Sequence, residues 1–165
     1  VIIYIANFIG SMIVVLIVYK SGLFASAGNQ LGATALKIAA AKVNLTFGAA
    51  FFRGILCNWL VCLAVWLCIA SKDVISKIFA CYFPIMTFVA CGYEHSIANM
   101  YFIPMGVLLK GEAAVVAASG VSAAKLANLT WVGAFTNNIL AVSLGNIVGG
   151  ALFVGVVYYL VYGRD

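Results

Sequence analysis

Charge is what this chain of 165 residues has least of: charged side chains make up 8% of it, and only four of them are acidic. It also carries a single histidine, His95, and two prolines, Pro84 and Pro104. A water-soluble globule needs more polar surface than that, whereas 66% of these residues are hydrophobic and the mean hydropathy is +1.18. The composition excludes a soluble domain and points to a lipid bilayer. Scarcity limits the chemistry as well. One histidine and four carboxylates form no set of nucleophile, base and orienting group and no metal-ligand cluster, so enzymatic activity, a metal and a cofactor are not expected. The net charge of +5 does not imply nucleic acid, because the lysines are spread over loops and not gathered on one face. Cys57, Cys62, Cys68, Cys81 and Cys91 fall inside apolar runs without paired metal-type spacing and read as buried small hydrophobes with no redox role.

What the sequence does have is long apolar runs. About 20 residues cross the roughly 30 Å of hydrocarbon in a bilayer, and residues 1–19, 49–70 and 139–162 each read as one crossing. A fourth run starts at Ile78, is interrupted by Gly-Tyr-Glu-His at 92–95, and resumes from Ser96 to Leu109. Such an interruption is tolerated at membrane depth only where the freed backbone is buried in protein or lines a watery cavity. Residues 20–47 read as a loop leading into a helix that merges with the second crossing. Ser71–Lys77 reads as a short polar link, and 110–138 as a stretch lying along the membrane surface. No cleavable leader is readable, since the first run lacks a basic lead-in and is long for one. The valine at position 1 suggests that a longer protein precedes it.

Lysine placement conflicts with the usual inward bias of positive charge. With the Ser71–Lys77 link and Arg164 inside, Lys20, Lys37, Lys42, Lys110 and Lys125 lie outside, as though some of them serve an anion. Two glycosylation-type triplets, Asn44-Leu-Thr and Asn128-Leu-Thr, would also lie outside, a pattern too common to decide anything. Within the last run Gly145 and Gly149 form a GxxxG pattern, extended by Gly150 and Gly155, which suits close helix packing.

Ionisable groups inside apolar runs are functional candidates because burying them is costly. Arg53 is near the end of its run and can reach the headgroups. Glu94 and His95 sit at the interruption, where a half-helix starting near Ser96 directs its amides and positive dipole end back towards them, a geometry that suits an anion. Equally, the pair reads as a satisfied histidine beside a capping glutamate. Asn58, Asn99 and Asn146 each interrupt an apolar run and each needs a hydrogen-bond partner, either as interhelical glue or as part of a site.

Residues 92–106 (GYEHSIANMYFIPMG), 52–66 (FRGILCNWLVCLAVW) and 144–150 (LGNIVGG) together resemble the formate/nitrite transporter family of small-anion channels. The resemblance runs from the first crossing to the end of the chain. It implies an all-α membrane protein, an aquaporin-like helical bundle with an interrupted helix, here contributing crossings three to six of six. Crossings one and two would then be absent or carried on a separate piece, and residues 1–165 would form a single transmembrane domain. It further implies a homopentamer in the cell inner (plasma) membrane with one pore per protomer. Position by position, it makes His95 the central pore histidine and Glu94 its neighbour, with Asn99 in the same motif. Lys42 becomes the basic residue of the outer vestibule, Val61 and Phe88 part of the apolar constriction, and Asn58 and Asn146 paired polar residues towards the cytoplasm.

The function so implied is a passive or proton-linked channel for small monovalent weak-acid anions, formate first, with hydrosulfide and nitrite as alternatives. A lone intramembrane histidine also suits a different class, the membrane anchor subunit of a redox complex, although haem-binding anchors usually carry their histidines in pairs.

Overall fold

A segment in hydrocarbon has no water to satisfy its amides and carbonyls, and a helix satisfies them internally. Helices accordingly build this chain. The computed structural model describes residues 1–163, so Arg164 lies outside the described residues. In order come α1 (Ile2–Lys20), α2 (Gln30–Val43), α3 (Phe47–Ala70), α4 (Val74–Ala90), α5 (Ser96–Leu109), α6 (Ala113–Ser119), α7 (Ala123–Ala127) and α8 (Trp131–Tyr162). Among the described residues α1, α3 and α8 are long and apolar enough to cross a membrane, and α5 with α6 qualifies as a pair bent by 112°. Two π-helical stretches, Phe135–Ile139 and Val148–Val156, interrupt α8.

The chain divides into two compact units, one made of residues 1–47 and 97–140, the other of 48–96 and 141–165. In the first, Val15 of α1, Leu36, Ala39 and Val43 of α2, and Met100, Ile103 and Leu109 of α5 form a buried core with Val115, Leu126, Leu129 and Ile139. Phe8 meets Phe135 at 5.5 Å between ring centroids, and Tyr19 stacks on Phe24 at 5.3 Å. The Tyr19 hydroxyl donates to the Glu112 carboxylate.

In the second unit α3 and the later part of α8 pack backbone to backbone. A Cβ added to Gly54 would fall 2.8 Å from the Val142 carbonyl oxygen, and one on Gly145 or Gly149 would overlap the carbonyls of Phe51 or Ile55. The GxxxG pattern thus serves helix packing, as its spacing suggests. Trp59 stacks on Phe153 at 5.2 Å, and Trp66 meets Tyr158 at 4.5 Å along the same pair of helices. Outward-facing residues are greasy on all the long helices, Ile5, Ile9 and Ile13 on α1 and Leu67, Ile69, Leu152 and Leu160 elsewhere among them. Such a surface suits lipid or further protein, and this is a membrane protein.

Several boundaries differ from the sequence reading. α2 does not merge with α3. It stops at Val43, and Asn44 caps it by donating through Nδ2 to the Ala40 carbonyl at 2.7 Å and to that of Lys125 at 3.0 Å. Asn128, which follows α7, donates to Asn44 Oδ1 at 2.8 Å, so the two glycosylation-type triplets are mutually bonded helix ends. α8 starts at Trp131, eight residues before the expected Ile139, because Thr130 accepts from the Gly133 amide at 2.9 Å and caps it. The stretch expected to lie along the surface therefore ends in helix.

α4 starts at Val74, not Ile78. Asp73 accepts from the Ser76 amide at 2.9 Å and from the Ser76 hydroxyl at 2.6 Å, and those bonds hold its carboxyl below the usual carboxylate range. Of the cysteines only Cys57 is buried; Cys62 and Cys68 are half-buried, and Cys81 and Cys91 are exposed.

Overpacking a backbone-to-backbone contact costs roughly 1–3 kcal/mol or more. Gly145→Val should therefore lower the melting temperature of the full-length protein, while Gly155→Val, whose added Cβ meets nothing closer than 3.6 Å, should leave it nearly unchanged.

Candidate functional site: the interrupted helix and its asparagine clamp

The interruption is built by two devices, the first of them in the local sequence. α4 ends in a Schellman motif: the Tyr93 amide donates to the Phe88 carbonyl at 2.9 Å and the Gly92 amide to that of Val89 at 3.1 Å. The motif requires a left-handed residue, and Gly92 supplies it with φ +66°. A side chain there would cost about 1–2 kcal/mol.

Residues 93–95 then run free of helix until α5 starts at Ser96. The second device is Asn146 of α8, a buried amide. Its Nδ2 donates to the Glu94 carbonyl at 3.0 Å and to the Gly54 carbonyl at 2.8 Å, while its Oδ1 accepts from the Ser96 amide at 2.9 Å. One side chain thereby grips the last residues of the break, the first amide of α5 and the backbone of α3. Arg53 joins through its own carbonyl, which accepts from the Glu94 amide at 3.3 Å, while its side chain is exposed.

Glu94 is 4% exposed, and His95 beside it is half-buried. The His95 ring centroid lies 5.8 Å from that of Phe88, tilted by 36°, so the histidine stands against an aromatic of α4. Asn58 Nδ2 donates to the main-chain oxygen of Asn146 at 2.7 Å, so the expected asparagine pair meets side chain to backbone. Val61 is half-buried one turn further along α3. The second unit thus brings together His95, Phe88, Glu94, Asn146 and Asn58. The amides expected to face an anion are partly committed, since that of Ser96 is taken by Asn146.

Lys42 and Asn99 belong to the other unit. Asn99 is fully buried and donates to Asn138 Oδ1 at 2.7 Å, and Asn138 in turn donates to the Lys42 carbonyl at 3.0 Å. The Lys42 ammonium sits 5.7 Å from the centroid of the Phe102 ring, a cation–π arrangement. Lys110 donates to the Leu129 carbonyl at 3.2 Å, so this lysine serves as a helix-end partner.

Asn138 and Gly54 are the residues the sequence reading misses. Asn138 falls one residue before the apolar run as bounded above. The signal was Thr130, whose cap extends the helical span backwards to take in Asn138, buried at 0% exposure.

The model of the family described as "Formate/nitrite transporter" matches residues 1–160. The chain belongs to the formate/nitrite transporter family. It is 49% identical over 130 residues to a "Probable formate transporter" of Methanothermobacter thermautotrophicus, covering 78% of this chain and 41% of that protein. With the "Formate channel FocA" of Escherichia coli K12 it shares 39% over 165 residues, 99% of this chain and 58% of the relative. Among solved structures it is similar to a "Pentameric formate channel with formate bound", with a TM-score of 0.88 and 40% identity, over 98% of this chain and 64% of that one. An "FNT family ion channel" gives a TM-score of 0.71 at 32% identity, over 96% of this chain and 56% of that one. The chain spans about half the length of the curated relatives it matches. Its fold is the helical fold of this family.

Removing a partner from a buried polar group costs roughly 1–3 kcal/mol for each group left unpaired. Asn146→Ala, which withdraws three bonds, should depress the melting temperature of the full-length protein well beyond Asn58→Ala, which withdraws one.

Proposed function

We propose that the protein containing this chain is a membrane channel for small monovalent weak-acid anions, formate first, with hydrosulfide and nitrite as the nearest alternatives. One observation carries the reading: α4 and α5 are held apart at residues 91–95, and His95 stands in that gap against Phe88 while Asn146 fixes the backbone on either side of it. The printed names of the relatives, formate channels and a formate transporter, support the substrate. Residues 1–165 form a single transmembrane domain that supplies crossings three to six of the six that the family resemblance implies. The homopentamer is supported by the pentameric neighbour, and the cell inner membrane is its setting.

Burying an anion in an apolar passage costs several kcal/mol even after relaxation. Lys42 raises the local anion concentration at the entrance. His95, with the positive end of the α5 dipole behind it, stabilises the anion and transfers a proton to it. The neutral acid then passes Val61 and Phe88 without the charge penalty, and hydrated cations are refused by the same walls. Asn146 holds the backbone on either side of the histidine, and Asn58 in turn holds the Asn146 main chain. With family membership established, the redox-anchor reading has nothing left to support it.

Flux into liposomes carrying the full-length protein tests this, with formate, hydrosulfide and nitrite compared across pH. His95→Asn should cut formate flux by about a hundredfold or more, the loss expected of a proton-transfer group, and remove its pH dependence; an unaltered pH-dependent rate would defeat the proton-transfer step. Lys42→Glu should slow entry several-fold at low salt, with the difference shrinking as the screening length falls from about 10 Å at 0.1 M to about 3 Å at 1 M.

A further inference from the structure

Two thiols that the proposed function leaves unused face each other across the α3–α4 hairpin. Cys68 lies near the end of α3 and Cys81 two turns into α4, and the three residues Ser71–Asp73 join the helices between them. Their sulfurs are 3.0 Å apart, within hydrogen-bond reach, and the Cys68 thiol also lies 3.6 Å from the Lys77 carbonyl. Both are free thiols, Cys81 exposed and Cys68 half-buried. A disulfide needs the sulfurs at about 2.05 Å, so the two must close by roughly 1 Å to be joined.

We propose that Cys68 and Cys81 form a reversible redox clasp, a modification site oxidised by small disulfides of the glutathione class. Cys81, one turn beyond Lys77 on α4, reacts first. Its thiolate attacks one sulfur of the oxidant, forming a mixed disulfide and releasing one thiol. The Cys68 thiolate then attacks the Cys81 sulfur of that mixed disulfide, and the second thiol leaves. Two electrons and two protons pass from the protein to the oxidant, which ends as two reduced thiols. The product is a closed loop from residue 68 to 81 that fastens the first half of α4 to α3. This site stands apart from the channel reading and survives or fails without it.

The test uses full-length protein treated with oxidised glutathione, after which remaining thiols are blocked, the protein is denatured and trypsin is added. Lys72 and Lys77 lie between the two cysteines, so cleavage there leaves the flanking fragments joined only by a disulfide. The expected result is a fragment pair that runs as one species until dithiothreitol separates it. Cys68→Ser should abolish the joined species and leave glutathione trapped on Cys81. Fragments that separate without reductant in the oxidised wild type overturn the clasp, as does a wild type that retains glutathione on Cys81 without resolving it.

Discussion

Everything at the interruption depends on one amide. Asn146 has two donors and an acceptor, and all three are spent on main-chain groups from separate stretches of chain: Gly54 in α3, Glu94 in the break, and Ser96 at the start of α5. A broken helix in hydrocarbon exposes amides and carbonyls that cost several kcal/mol each if left without partners. A single asparagine provides partners at the point where Gly92 has already turned the chain out of α4. The glycine makes the break and the asparagine makes it tolerable. On the proposed reading, that is what allows His95 to stand outside any helix and present its ring to a solute.

Close packing is the condition for the clamp. Asn146 can reach the Gly54 carbonyl only because Gly54, Gly145 and Gly149 let α3 and α8 approach until backbone meets backbone. Small residues and the buried amide are therefore one device. The other unit uses the same chemistry independently: Asn138, in the first π-helical stretch of α8, donates to the carbonyl of Lys42 near the end of α2 and accepts from Asn99. In both cases an asparagine of α8 takes up a main-chain carbonyl close to a helix end. π-Helical stretches add a residue to a turn and re-aim the side chains that follow.

Much of this was legible in the sequence. The interrupted run was visible because glycine, glutamate and histidine stand together in otherwise apolar sequence, and Ser96 as the start of the second half followed from it. Family resemblance then assigned roles that composition leaves open. Helix starts were less legible. Asp73 and Thr130 extend α4 and α8 backwards through residues whose hydropathy reads as linker, since a cap acts through two or three hydrogen bonds that an apolar-run count does not register. Asn138 was lost with the boundary of α8. The partner choice of Asn146 was out of reach altogether, because it joins segments 52 and 92 residues away in the chain.

The central claim is that the Asn146 side chain, and not water or the helix itself, holds the first amide of α5. Ser96 heads its helix and has no intrahelical acceptor of its own, so residue-resolved hydrogen exchange in the full-length protein addresses the claim directly. The account predicts a slowly exchanging Ser96 amide in the wild type that becomes fast when Asn146 is replaced by alanine. A Ser96 amide that exchanges at the rate of an open peptide in the wild type, or stays protected in the alanine variant, contradicts it.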